Sequence, residues 1–341
     1  MPTIDATRLE ETGARIFAAM GAPAEDAAWI ARLLVRANLR GHDSHGVIRI
    51  PQYWEWAKQG YLNPKSPVTV IADTPVIARL DGGRGFGQVV ARRGMEMAIA
   101  KARSAGLSAV ALSQTSHVGR LADYAEMAAH EGLVGMLWVN ALHGLNVAPW
   151  GGAARRLGTN PHAIAVPGAA GPAMVLDFAT SVVAEGKLKV KRNRKQAAPP
   201  GWFIDAAGRP ATDPEVFYGT PPGSLLAAGQ HKGYGLSLAV ELLGGILSGT
   251  GPAGPGSGPM SNGTLMICLD VERFMPLHEF RRQAQSLVDW VKSAPLAQGS
   301  TEILIPGEPE ARLEAERLRE GIPIEDETWT QIQAVAKELR D

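Results

Sequence analysis

Residues 41–53 concentrate the chemistry this chain can offer, reading Gly41, His42, Asp43, Ser44, His45, Gly46, Val47, Ile48, Arg49, Ile50, Pro51, Gln52 and Tyr53. A general acid/base candidate, His45, stands beside the hydroxyl of Ser44. A carboxylate-binding cation, Arg49, and a phenol, Tyr53, follow it. Histidine is the one side chain whose ordinary titration lies between pH 5 and 8. Guanidinium can meet a carboxylate through two parallel hydrogen bonds. Such a set of polar groups between two helical stretches is what an active-site loop needs. The plainer reading is a polar interhelical loop with hydrogen-bonded histidines. Nucleophilic catalysis by Ser44 is not expected, because no Gly-x-Ser-x-Gly elbow surrounds it.

The elements around this segment must hold it rigid. Asp5 can cap a helix reaching about residue 20, with Leu9, Ile16 and Phe17 as its apolar stripe. A second helix follows Pro23, buries Ile30, Leu33, Leu34 and Ala37, and runs out at Gly41. Pro51 then opens a short helix to residue 59. Residues 68–71 and 76–80 read as strands before the glycine cluster at 81–87. That cluster contains no Gly-x-Gly-x-x-Gly, so we assign it a structural role rather than a dinucleotide fingerprint.

Further on, strand and helix patterns alternate. His117 lies between a strand at 109–112 and a helix at 121–131, where the sites of α/β proteins gather. Strands are expected at 134–139, 163–166, 174–176, 265–269 and 302–305, with a helix beginning at Ala179 or Thr180. A helix at 230–247 leads into 249–263, a glycine- and proline-rich flexible loop. Helices at 280–293, 308–320 and 326–339 close the chain.

Composition narrows the function classes. At 341 residues the chain can form two or three folding units, and 45% hydrophobic with 20% charged residues describes an ordinary globular protein. Lys+Arg and Asp+Glu both number 34, so no net field draws nucleic acid or an anionic membrane. The basic run at 187–195 lacks interleaved aromatics and suits a loop or strand beside an anionic cofactor. Cys268, the single cysteine, rules out an internal disulfide and reads as a buried inert thiol. With no signal-peptide pattern and no long apolar run, the expectation is a cytoplasmic protein.

Seven motifs together carry a resemblance. They are residues 41–53; Ser116, His117, Val118, Gly119 and Arg120; Gly158, Thr159, Asn160 and Pro161; and 176–181 with Gly186 and Lys187. Gly201 and Trp202 with Asp205, Gly208, Asp213 and Pro214, then 231–235, then Ile305, Pro306, Gly307 and Glu308 complete the set. In this order the chain resembles the malate/L-lactate dehydrogenase family of non-Rossmann NAD(P)-dependent oxidoreductases. That family also holds ureidoglycolate, sulfolactate, 2,3-diketogulonate and cyclic-imine enzymes.

The resemblance implies an unusual α/β fold: a mixed, mostly antiparallel sheet wrapped by helices, with a helical domain built from both termini. Residues 1–70 and 272–341 would form the helical, substrate-side domain, and 71–271 the NAD(P)-binding domain. It implies interconversion of a 2-hydroxy acid and a 2-oxo acid by hydride transfer. His117 is expected as the base, with His45 orienting substrate or sharing the proton. Ser44, Arg49 and Tyr53 are expected at the substrate, although the ring of Tyr53 can equally serve packing. Expected dinucleotide contacts are Asn140, Asp177, Phe178, Ala179, Thr180, Lys232, Pro306, Gly307 and Glu308. Lys232 opens a helix whose free N–H groups favour phosphate, and Asp177 can instead cap a helix. NAD is placed ahead of NADP, and a homodimer or higher oligomer is expected. The alternative activity is reduction of a cyclic 2-carboxy imine. A more remote one is a metal hydrolase using His42, His45, His117 and His143; no metal is expected.

Overall fold

The structure, a computed structural model, describes residues 1–142, 144–254 and 261–339. The N-terminal part runs β1 (Thr3–Ile4), α1 (Ala6–Ala19), α2 (Ala24–Leu39), a single 3-10 turn (Asp43–His45) and α3 (Arg49–Lys58). Asp5 caps α1 by accepting from the Arg8 amide at 3.1 Å. Helix α3 begins two residues before Pro51, so Arg49 lies in its first turn rather than in the preceding loop.

The middle comprises β2 (Thr69–Asp73), β3 (Ile77–Gly85), α4 (Gly87–Ala105), β4 (Leu107–Thr115), α5 (Ala122–His130), β5 (Leu133–Val139), β6 (His162–Pro167) and β7 (Pro172–Phe178). The glycines at 82–85 belong to the end of β3, where its register against β4 shifts, instead of forming a turn. Then come α6 (Glu185–Asn193), β8 (Phe203–Ile204), β9 (Pro210–Ala211), α7 (Pro214–Tyr218) and β10 (Ser224–Leu225). The helix expected at residue 179 or 180 starts only at Glu185, and it takes in most of the basic run. The chain closes with α8 (His231–Val240), β11 (Thr264–Asp270), α9 (Leu277–Lys292), α10 (Glu308–Glu320), β12 (Ile322–Pro323) and α11 (Asp326–Glu338). A π-helical turn, Glu241–Ile246, extends α8. Residues 302–305 form no strand, although the Pro306 carbonyl accepts from the Val175 amide at 2.9 Å. The flexible loop expected at 249–263 lies partly outside the described residues.

Among the described residues the main sheet has seven strands in the order β2-β3-β4-β11-β5-β6-β7. Only β3 and β4 pair in parallel, as the α4 crossover between them requires; every other pairing is antiparallel. Helices α4 and α5 pack on one face of this sheet. Leu80, Leu112, Leu137, Met266 and Cys268 meet Val90, Met95 and Tyr124 there. Strand β5 alternates buried and half-buried positions, the period of two that a sheet with one packed face imposes. Burial pushes the Cys268 thiol up to about 12, which fits an inert packing residue.

A second core joins α1, α2 and α3 to α11 through Phe17, Ile30, Leu34, Ile50 and Ile332. Phe86, at the start of α4, reaches into it. A third, smaller core surrounds the β10-β8-β9 sheet through Val147, Leu188, Phe203, Phe217 and Leu225. Phe17 is fully buried, with its ring 5.4 Å from Phe86 and 6.3 Å from Tyr53. Phe17→Ala should therefore cost about 3–5 kcal/mol of stability, read as a lower urea midpoint at unchanged slope. A loss under about 1 kcal/mol would show that the second core does not close under Tyr53.

Candidate active site

His45 and His117 come together across the junction of the first two cores. His45 Nδ1 lies 3.0 Å from His117 Nε2, and the rings stack within 4° of parallel. On its other side, His117 Nδ1 is 2.6 Å from the Tyr53 hydroxyl. That hydroxyl also accepts from the Gln88 amide at 2.7 Å. Four side chains, from the 3-10 turn, the segment after β4, α3 and α4, thus form one hydrogen-bonded row.

Each partner is positioned by local structure. Asn38, at the end of α2, binds both sides of the 41–47 turn: its Nδ2 donates to Asp43 at 2.7 Å and its Oδ1 accepts from the Val47 amide at 2.8 Å. His117 is placed by the approach of α4 to the strand exit. The Gly87 amide donates to Ser116 Oγ at 2.9 Å, and a Cβ at residue 87 would stand 2.4 Å from the His117 carbonyl oxygen. Asn262, just before β11, accepts from the Val118 amide at 3.1 Å and donates to the Asn140 carbonyl at 3.1 Å.

Arg49 completes the centre. Its Nε donates to the Ser44 carbonyl at 2.7 Å and its Nη1 to Gln52 Oε1 at 2.5 Å, which leaves guanidinium donors for an incoming group. Ser44 faces Gly186 at the start of α6. Tyr53 is fully buried, and burial raises its hydroxyl to about 12. Its ring packs in the helical core while its hydroxyl is shared by His117 and Gln88, so it acts through His117. Burial, followed by the neighbouring Arg49 charge, pulls His45 down to about 3 and His117 well below the ordinary histidine value. Both rings are neutral at pH 7.

His42, expected only in the metal reading, lies 3.9 Å from Glu310, and burial ahead of Arg120 brings it down to about 4. His143 lies outside the described residues. Among the described residues, no three His, Cys, Asp or Glu side chains are grouped as metal ligands.

The residues expected at a dinucleotide follow β7 and the segment after it. Asp177 accepts from the Ala122 amide at 2.8 Å, capping α5, which precedes it in the chain. Burial raises its carboxyl to about 6. Phe178 is partly exposed and sets its ring edge against His162 at 5.0 Å. Ala179 leads to the buried Thr180, whose hydroxyl donates to the Thr159 carbonyl at 3.0 Å. The Thr180 carbonyl accepts from the Ala228 amide at 2.8 Å, joining this segment to the start of α8. Gly307 packs against Val175 with a left-handed φ of 102°, and Glu308 pairs with Lys292 and the Ile305 amide.

Lys232 is exposed in the first turn of α8 and makes no ion pair among the described residues. It can meet an anion, although the Lys232 and Gly233 amides already donate within the protein. Asn140 is fully buried: its carboxamide binds Glu241, the Gly251 carbonyl and the Gly263 amide. It therefore braces the end of β5.

Gln88, Asn38, Asn262 and Glu241 had no signal in the sequence. Gln88, Asn262 and Glu241 are polar residues whose main partners lie far away along the chain, and Asn38 reads as an ordinary helix-end residue until the turn after it folds back onto its carboxamide.

The chain matches the malate/L-lactate dehydrogenase family over residues 4–333. It is 35% identical to hydroxycarboxylate dehydrogenase B of Escherichia coli (strain K12), covering 98% of this chain and 94% of that protein. Sulfolactate dehydrogenase from Methanocaldococcus jannaschii superposes with a TM-score of 0.91 at 35% identity, covering 99% and 98% of the two chains. Delta1-piperideine-2-carboxylate reductase from Pseudomonas syringae gives 0.86 at 29% identity, covering 98% and 100%.

The histidines give the site a pH signature. A folded pKa of about 3 for His45, against 6.5 when free, means the unfolded chain binds the proton first. The stability this neutral ring contributes is complete above 6.5 and is lost as pH falls toward 3. His42 and His117 act in the same direction. Asp177, raised from 3.8 to about 6, acts oppositely and favours the folded state as pH falls through that window. Burial also lowers His162 and raises Asp123, Glu10 and Asp26. The deep lowering of His45, His117 and His42 outweighs the raised carboxyls and predicts a melting temperature that drops between pH 6.5 and 4. A flat profile over that range would refute the neutral assignment.

Proposed function

We propose, from the premise that this chain belongs to the malate/L-lactate dehydrogenase family, that it interconverts a small 2-hydroxy acid and its 2-oxo acid with a nicotinamide dinucleotide. The observation that carries this reading is the convergence of a proton-transferring histidine pair and a guanidinium with unused donors. Arg49 binds the substrate carboxylate and thereby fixes the reacting carbon beside the histidines. A carboxylate on Arg49 also offsets the cation that depresses both rings, so their affinity for a proton rises once substrate is in place. The histidine pair then holds the proton that leaves the alcohol, or returns it to the developing alkoxide. Tyr53 orients His117, and the surrounding cores restrict water.

A nicotinamide dinucleotide held here would supply or accept the hydride. Phe178, Ala179, Thr180, Lys232, Pro306, Gly307 and Glu308 would hold it along the adjoining strip, with Asp177 and Asn140 shaping that strip from behind. The exposed ammonium of Lys232 beside a helix start suits a phosphate. NAD is the expected form. The NADP alternative rests on the basic run at 187–195, in which Arg192 is already held by Glu215.

The domain division at 1–70 with 272–341 against 71–271 is supported by the core that α1, α2 and α3 share with α11, while α9 touches β7. A homodimer is supported by exposed apolar residues along α8 and its extension, Leu238, Leu242, Ile246 and Leu247. Among the described residues no helix is long and apolar enough to cross a membrane, and the proposed location is the cytoplasm. Reduction of a cyclic 2-carboxy imine is the second reading, favoured by the similarity to the piperideine-2-carboxylate reductase; Arg49 would serve either substrate.

Absorbance at the reduced-nicotinamide band, with NADH and NADPH, should fall with oxaloacetate, pyruvate or sulfopyruvate. Turnover confined to cyclic imines would move the assignment to the second reading, and none with either class would refute both. His117→Asn should lower kcat by about 10²–10⁴-fold. Arg49→Lys should lower kcat/KM by about 30-fold, mainly through KM, as the paired hydrogen bonds to carboxylate are lost. Unchanged KM in that variant would remove Arg49 from the substrate.

A further inference from the structure

The row of side chains behind the histidines has a direction. Gln88 is buried at the start of α4, and its only side-chain hydrogen bond among the described residues is Nε2 to the Tyr53 oxygen, at 2.7 Å. An amide nitrogen can only donate. The Tyr53 oxygen is therefore an acceptor on that side, and its own proton is directed along the 2.6 Å contact to His117 Nδ1. A neutral imidazole that accepts at Nδ1 carries its hydrogen on Nε2. His117 Nε2–H then points at His45 Nδ1, 3.0 Å away, which must be the acceptor.

We propose that Gln88 is a positioning residue that sets this polarity, so that His117 is a fixed Nε2–H donor to the reacting oxygen and His45 is the group that gains and loses the proton. The inference rests on the oxidoreductase reading above, and it reverses the division of labour expected from the sequence, with His117 as base.

The chemistry balances without moving a proton through Tyr53. A substrate hydroxyl entering between the facing nitrogens takes over the bond they make with each other. It accepts from His117 Nε2–H and donates to His45 Nδ1. On oxidation the O–H bond breaks, its proton goes to His45 Nδ1, and the carbon-bound hydrogen leaves with its electron pair as hydride to the dinucleotide. On reduction the hydride arrives at the carbonyl carbon and His45 returns the proton to oxygen. His117 keeps its own hydrogen and steadies the negative charge on that oxygen. Protonating His117 instead would place hydrogen on Nδ1 against a Tyr53 oxygen that already accepts from Gln88, leaving the phenol proton without an acceptor in this row. Arg49, His45 and Tyr53 are the titratable or charged groups facing the His117 ring, and none of them favours a second proton there.

The test reads hydrogen position directly. In protein labelled with 15N at histidine, without dinucleotide, long-range proton–nitrogen spectra at pH 7.5 should show His117 protonated on Nε2 and unprotonated on Nδ1. An Nδ1–H ring in the wild type overturns the proposal. In Gln88→Glu the introduced carboxyl becomes acceptor-only on ionisation. The His117 hydrogen should then switch to Nδ1 as pH rises through that ionisation, followed by the infrared carboxylate band. Ionisation with no switch overturns it equally.

Gln88→Met keeps the side-chain volume and serves if the first variant fails to fold. It should lower kcat for 2-oxo acid reduction by about 10-fold with KM within twofold, as loss of a net hydrogen bond of about 1.4 kcal/mol predicts, and unchanged kcat refutes the role. Because the spectra are of the protein alone, they judge the polarity separately from the proposed activity, which absence of dinucleotide turnover would refute.

Discussion

A contact between backbones holds this site together. Helix α4 starts so close to the exit of β4 that residue 87 has room only for hydrogen against the carbonyls of Ser116 and His117. From that one approach three side chains diverge to different tasks. Phe86 turns into the helical core beneath Tyr53, Gln88 reaches the Tyr53 hydroxyl, and His117 meets Tyr53 and His45. A side chain at residue 87 would force apart the sheet layer and the helical layer, and the hydrogen-bonded row would lose its spacing. Sub-ångström placement of this kind is what separates a working proton-transfer site from a set of suitable residues.

The electrostatics follow from the same compactness. Beside the histidines, Arg36, Arg40 and Arg120 are interleaved with Asp123, Glu126 and Glu314, joining α2, α5 and α10. Arg120 and Asp123 are almost wholly buried, at 2.8 Å. Such a cluster is weak evidence for stability, because desolvation offsets much of the attraction. Its geometric effect is firmer: it fixes α5, whose N-terminus Asp177 caps, and so fixes the segment that carries His117. The field at His45 and His117 is then cationic, led by Arg49, with Arg120 also reaching His45, while at His42 the charge of Arg120 is partly offset by Glu310. Neutral imidazoles beside a cation leave a net positive field that an anion would offset.

The strip expected to hold a dinucleotide is separate from the hydrogen-bonded row but mechanically tied to it. Asp177 binds the helix that follows His117, and residues 180–186 lead from Thr180 to Gly186, which lies against Ser44. A ligand that stiffened 177–180 would therefore bear on both sides of the histidine pair.

Local patterns made much of this legible. The Asp5 cap, the apolar stripe of α1, the period-two strands and the short-range grouping of Ser44, His45, Arg49 and Tyr53 all depend on neighbours a few residues apart, where the chain itself dictates geometry. The family resemblance likewise rested on motifs readable in order. The start of α3 ahead of Pro51 and the late start of α6 were not legible, because tertiary packing overrode the local signals. Nor could the sequence show that Asp177 caps a helix preceding it in the chain, that the Asn140 carboxamide is bound inside the protein, or that Gln88 stands behind Tyr53. By itself the sequence determined which reactive groups exist, how they are grouped along the chain and which family the fold joins. The tertiary structure decided which groups touch and in which direction their hydrogen bonds run, because contacts between residues 35 to 72 positions apart depend on how whole layers pack.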